Sequence, residues 1–248
     1  MLSFFKKNKS SLTTKFPKGF VDIHNHLIPG IDDGAKTLDD SLTLIKRIHS
    51  YGIEHIICTP HIMEGVWENS PEIILAQLEK LKIHLNENNL SNIHISAAAE
   101  YMLDGNFNKL LSKGNLLTLK DSYLLVEMSY LSAPVNLFET LFNIQIAGYT
   151  PVLAHPERYN FYHQDFGMYQ KLKDAGCLFQ INLLSLSNYY GKHVNTTALR
   201  LLKENMIDFA GSDTHHNRHL NYLEKINDKK ILQRIAPILE NNGKFFSN

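Results

Sequence analysis

The chain has 248 residues, 44% of them hydrophobic, enough to bury a full core and suited in length to one α/β barrel or to two smaller domains. Its 25 basic and 25 acidic residues balance, so no global field draws it to nucleic acid or to an anionic membrane. Two cysteines, Cys58 and Cys177, sit in apolar runs and make no disulfide framework, which favours a reducing cytoplasm over a stapled secreted fold.

Residues 1–19 read as a flexible arm in which Leu2, Phe4 and Phe5 precede Lys6, Lys7 and Lys9, the reverse of a secretory signal; no later run reaches membrane-spanning length. The first strand is Phe20-Val21-Asp22-Ile23-His24-Asn25-His26, broken at Pro29-Gly30. Residues two apart on a strand face one side, so His24 and His26 point together into one pocket as a pair of metal ligands. Leu38, Leu42, Ile45 and Ile48 then recur at helical spacing, with Thr37 as N-cap and Gly52 as stop. A second strand over 54–59 ends at Pro60-His61, a helix enters through Ser70-Pro71, and a third strand over 93–99 ends at Glu100.

The alternation continues. Strands over 122–127, 150–154, 177–182 and 207–211 are separated by helices around Leu141, over 165–175 and around Leu201, and two weaker helical segments follow near 223–226 and 231–239. Strands with helical crossovers pair in parallel, and seven such units predict one closed or nearly closed barrel over 20–248. In such barrels the active site lies at the C-terminal strand ends. The hard ligands fall there: His24, His26, His61, Glu100, Glu127, His155, Asp213 and His215, with only the sixth strand offering Asn182 and Ser185 instead.

Eight nitrogen and oxygen ligands exceed the needs of one four- to six-coordinate ion, so more than one metal is expected. Imidazole and carboxylate without thiolate suit manganese, iron or zinc, and a hydroxide activated between close metals is a ready nucleophile for hydrolysis. Arg158 and Arg218 follow the last two ligand groups, where a guanidinium would grip a phosphate; the alternative is ion pairing on the barrel rim with Glu157 or Glu224. Asp33, in Asp32-Asp33-Gly34, is a further ligand, a proton donor to the leaving group, or a plain turn residue. Trp67, Tyr101, Met102 and Tyr130 follow strand ends and are candidates to wall a pocket for an aromatic group. Thiol phosphatase chemistry is excluded, because Glu64 and Leu183 stand six positions after Cys58 and Cys177, where arginine is needed.

The order Asp22-Ile23-His24-Asn25-His26, Asp32-Asp33-Gly34, Thr59-Pro60-His61, Ala99-Glu100, Leu125-Val126-Glu127-Met128, Ala154-His155-Pro156-Glu157-Arg158 and Gly211-Ser212-Asp213-Thr214-His215 resembles the polymerase and histidinol phosphatase (PHP) superfamily. Within it the chain is similar to the bacterial CpsB/CapC-type manganese-dependent protein-tyrosine phosphatases of capsule and exopolysaccharide clusters. The resemblance implies a distorted TIM-like (β/α)7 barrel with a trinuclear divalent site, manganese first and iron or zinc as alternatives. It assigns one metal to His24, His26, Glu100 and Asp213, a second to Glu100 as a bridge with Glu127 and His155, and a third to Asp33, His61 and His215. It also implies that Arg158 and Arg218 contact phosphate, and that the substrate is the phosphotyrosine tail of a bacterial tyrosine autokinase in the cytoplasm. The rival readings are a small-molecule phosphatase of the same superfamily, such as a histidinol phosphatase, and a non-catalytic metal-binding partner module. A nucleic-acid enzyme is disfavoured by the neutral charge.

Overall fold

Strand and helix alternate from the first histidine pair onward in the computed structural model, which describes residues 10–246. The order is β1 (Val21–Asp22), α1 (Leu38–His49), β2 (His55–Cys58), β3 (His61–Ile62), α2 (Pro71–Glu87), β4 (His94–Ala97), β5 (Glu100–Met102) and α3 (Phe107–Lys113). Then come β6 (Tyr123–Glu127), α4 (Leu137–Ile146), β7 (Thr150–Ala154), α5 (Gly167–Asp174), β8 (Leu178–Asn182), α6 (Lys192–Lys203), β9 (Phe209–Gly211), α7 (Asn217–Leu223) and α8 (Lys229–Asn241).

Helix starts follow from local chemistry. The Thr37 hydroxyl accepts from the Asp40 amide while the Asp40 carboxylate accepts from the Thr37 amide, a reciprocal cap that fixes where α1 begins. Ser70 caps α2, and Pro71 fills a first-turn position where no N–H is needed. Each helix then lays an apolar face on the sheet, Leu42, Ile45 and Ile48 in α1 and Ile74, Leu78, Leu81 and Leu85 in α2.

Every strand pair is parallel, in the orders β1-β2-β4 and β3-β5-β6-β7-β8-β9. β2 and β3 are one position interrupted at Thr59-Pro60, and β4 and β5 one interrupted at Ala98-Ala99. Pro60 has no N–H to donate, but its carbonyl accepts from the Glu100 amide at 3.1 Å, which carries the pairing across the break. Merging the two interrupted pairs turns nine strands into seven positions, the expected (β/α)7 arrangement. The seam between first and last strands is stitched by the Asp213 amide on His24 O at 2.7 Å and the His26 amide on Thr214 O at 2.9 Å. At its other end the Asn242 amide donates to Val21 O and Ala210 O.

Four details differ from expectation. The first strand is shorter than 20–26, because beyond Asp22 the chain pairs only residue by residue. Glu100 opens β5 rather than closing the third strand. α3 was not anticipated from its sequence. Of the arm expected over 1–19, residues 1–9 lie outside the described residues; beyond them Leu12 is fully buried and its amide donates to Ile226 O at 2.7 Å, so this part is docked. No helix among the described residues is long and apolar enough to cross a membrane.

Candidate metal centre

The barrel interior is apolar at one end and polar at the other, and strand alternation does the switching. Leu125 on β6 and Leu178 on β8 pack in the inner cluster with Ile23, Ile57 and Phe209. Two and four residues further along, the same period carries Glu127, Gln180 and Asn182 to the barrel mouth. His155 and Asp213, just past β7 and β9, have φ of 35° and 49°. Left-handed backbone is unfavourable for such side chains by about 1–2 kcal/mol per residue, and here it occurs at two proposed ligands.

All nine expected ligands meet. His26, Asp33, His61 and His215 form one group; His24, His26 and Asp213 a second; His24, Glu100 and His155 a third; His61, Glu100 and Glu127 a fourth, with ligand atoms inside each group within 4.8 Å. Glu100 is the hub: its Oε2 lies 3.3 Å from His24 Nε2, 3.6 Å from His26 Nε2 and 3.1 Å from His61 Nδ1, and its Oε1 is 3.0 Å from His155 Nε2. The His26 ring also stacks on His215 at 3.9 Å, so His26 stands between two groups where the family pattern gave it one.

The donor set fits divalent cations. His24 Nε2, His26 Nε2, His61 Nδ1, Glu100 Oε2 and Glu127 Oε1 are buried without a hydrogen-bond partner among the described residues, although they face one another. An unpaired buried polar atom costs about 1–3 kcal/mol, and convergence of several on one spot is what a metal site requires. The opposite edges of three of the imidazoles are satisfied. His24 Nδ1 pairs with Gln180 Oε1 at 2.6 Å, His26 Nδ1 with Asp32 Oδ2 at 2.7 Å, and His215 Nδ1 with Asp213 O at 2.9 Å. Each contact places the ring proton on Nδ1 and leaves Nε2 as the lone-pair donor.

The electrostatics tie imidazoles and carboxylates tightly together. Burial raises the Glu100 carboxyl, but His24, His61 and His155 outweigh it and hold the group well below the usual carboxylate range. Asp213 is treated alike, with His24, His215, His26 and Arg158 overcoming burial. Glu127 goes up, through burial and the nearby Glu100 charge. Burial opposes the His26 cation, yet Asp32 carries the ring up to about 10, whereas burial and Arg158 push His155 down to about 4. Asp33 Oδ1 sits 3.3 Å from His215 Nε2 and 3.6 Å from His61 Nε2. Burial would raise its pKa, but those imidazoles hold it low, which suits a ligand better than a proton donor.

Arg158 joins the cluster and Arg218 does not. Arg158 Nη1 donates to Asp213 Oδ2 at 2.9 Å, in the wall of a pocket of about 650 Å³ that opens over the ligands. Arg218 is exposed, outside that lining, with its guanidinium 5.6 Å from the Tyr189 ring. Of the aromatic candidates, Trp67 and Tyr130 line the mouth with Val66 and Leu131, while Tyr101 is buried in the core. Sequence reasoning missed the roles of Asp32, Gln180 and Tyr190, which touch proposed ligands, and only the Asp-Asp-Gly turn carried a signal for any of them; His219, close in sequence to Asp213 and His215, accepts from the His215 amide.

Residues 20–235 match the family described as "Capsular polysaccharide synthesis, CpsB/CapC". The chain is 32% identical over 203 residues to the tyrosine-protein phosphatase YwqE of Bacillus subtilis, covering 82% of this chain and 80% of that protein. It is 29% identical over 217 residues to the putative tyrosine-protein phosphatase CapC of Staphylococcus aureus, covering 85% and 84%. A solved structure from the work on B. subtilis YwqE and Streptococcus pneumoniae CpsB, described there as unique metal-dependent tyrosine phosphatases, superposes with a TM-score of 0.75 at 31% identity. It covers 89% of this chain and 94% of that one.

Proposed function

The chain belongs to the CpsB/CapC family of capsular polysaccharide synthesis, and from that membership and the site's geometry we propose that it is a metal-dependent phosphotyrosine-protein phosphatase. The observation that carries the reading is the ring of buried imidazole and carboxylate atoms, without hydrogen-bond partners among the described residues, with Arg158 at its edge. His24, His26, Glu100 and Asp213, then Glu127 and His155, then Asp33, His61 and His215 would hold about three divalent ions, manganese first. When bound, such ions polarise a phosphoryl group and make water nucleophilic at neutral pH.

The protein's own part is binding and orientation. Arg158 offers a planar fork of donors to the phosphate, at the edge of the ligand cluster. Trp67, Val66, Tyr130 and Leu131 give the mouth apolar walls for an aryl ring. Asp32, Gln180 and Asn182 hold His26, His24 and Asp213 in place, so the ligands are ordered before substrate arrives. A tyrosinate leaving group, with a reference pKa of about 10, leaves into a pocket open to water, and no side chain is assigned as its acid. The partner is the phosphotyrosine tail of a tyrosine autokinase, met in the cytoplasm.

Chelator-stripped protein should release no phosphate from a phosphotyrosine peptide and should regain release when manganese is added. Undiminished release in excess chelator would contradict the metal-dependent reading.

A further inference from the structure

Strand order places Arg158, which follows β7, between the residues that follow β6 and β8. Tyr130 comes from the β6 side and Tyr190 from the β8 side. The guanidinium carbon lies 4.6 Å from the Tyr130 ring centroid and 4.2 Å from that of Tyr190. Both tyrosines line the pocket. The Tyr190 hydroxyl also lies 3.1 Å from Asn182 Nδ2 and 3.5 Å from Asp213 Oδ2, so its ring is tethered from the side facing the ligands.

The two rings leave most of the arginine's hydrogen-bonding capacity unused. Of its five N–H donors, only Nη1 has a hydrogen-bond acceptor among the described residues, Asp213 Oδ2 at 2.9 Å. Aromatic faces attract a guanidinium but take none of its in-plane hydrogen bonds. The remaining donors therefore stay available for a tetrahedral anion entering the pocket. Arg218 shows the contrast: its nearest rings are 5.6 and 6.0 Å away, and it lies outside the pocket.

We propose that Tyr190, together with Tyr130, is a positioning residue that holds the Arg158 guanidinium in place for the substrate phosphate. This rests on Arg158 binding phosphate. It acts through the arginine, so its effect should vanish when the arginine is gone.

The test is a double-mutant cycle read as binding of inorganic phosphate to manganese-reconstituted protein by calorimetry, with bound metal checked by elemental analysis. Tyr190→Leu should weaken phosphate about tenfold with metal content unchanged, and Tyr190→Phe should restore most of the affinity. On an Arg158→Ala background, Tyr190→Leu should cost nothing further. Additive losses, wild-type affinity in Tyr190→Leu, or no phosphate binding by the wild type would each overturn the inference. If Tyr190→Leu does not fold, Tyr130→Leu carries the same cycle. Phosphate binding with an intact cycle but no release from a phosphotyrosine peptide would refute the phosphatase reading and leave the positioning role standing.

Discussion

Glu100 is fully buried and touches four imidazoles, so its charge is the one the ligand cluster can least lose. Glu100→Gln keeps the shape and removes the charge. Bound manganese measured by elemental analysis should fall by more than the roughly 10–100-fold affinity loss typical of outer partners. Full metal content in that variant would show that Glu100 is not a ligand. Arg158→Ala should instead lower turnover by about 10²–10³-fold, the scale for losing one preorganised donor, with metal content unchanged. Arg158→Lys should not rescue it, since a point charge cannot replace the planar fork. The cluster of candidate ligands was legible because imidazoles and carboxylates at successive strand ends form a pattern. Gln180, Asn182 and Tyr190 were not legible as a set, because a polar residue near a strand end looks the same whether it faces solvent or orients a histidine.

Two glycines hold the elements at the distances the site needs. A Cβ on Gly34 would meet His26 O at 2.0 Å, and one on Gly211 would meet His24 Cβ at 2.4 Å and Gln180 Nε2 at 2.8 Å. Gly34→Ala sets a methyl against backbone that cannot yield, so urea unfolding should show a loss of about 1–3 kcal/mol or more. Unchanged stability would mean that the 32–34 turn shifts freely. Thr37→Ala, at an exposed position outside the ligand cluster, should cost about 1 kcal/mol through the lost cap and leave turnover alone. Helix starts and the strand alternation were readable from caps, prolines and apolar spacing. The resumption of the second strand at His61, the break at Ala98-Ala99, and the left-handed turns at His155 and Asp213 were not readable. They arise where the barrel bends its strands to aim side chains inward, a tertiary demand that local propensity does not record.

For the molecule as a whole, the site closes the barrel: Asp213 and His26 are at once proposed ligands and the backbone groups that stitch the last strand position to the first. Metal binding and barrel closure should therefore be coupled, and ligand linkage predicts a higher melting temperature with manganese than in chelator. Equal melting temperatures would separate the two. The seven-position barrel was legible because helical crossovers leave few topologies, whereas docking of Leu12 was hidden in a short segment without periodicity. Phosphotyrosine hydrolysis by this barrel can be read directly. The most direct measurement is kcat/KM of manganese-reconstituted protein on a phosphotyrosine peptide beside histidinol phosphate under the same conditions. A clear preference for the peptide, lost in Arg158→Ala, is the expected result; a preference for histidinol phosphate, or release from neither, would contradict it.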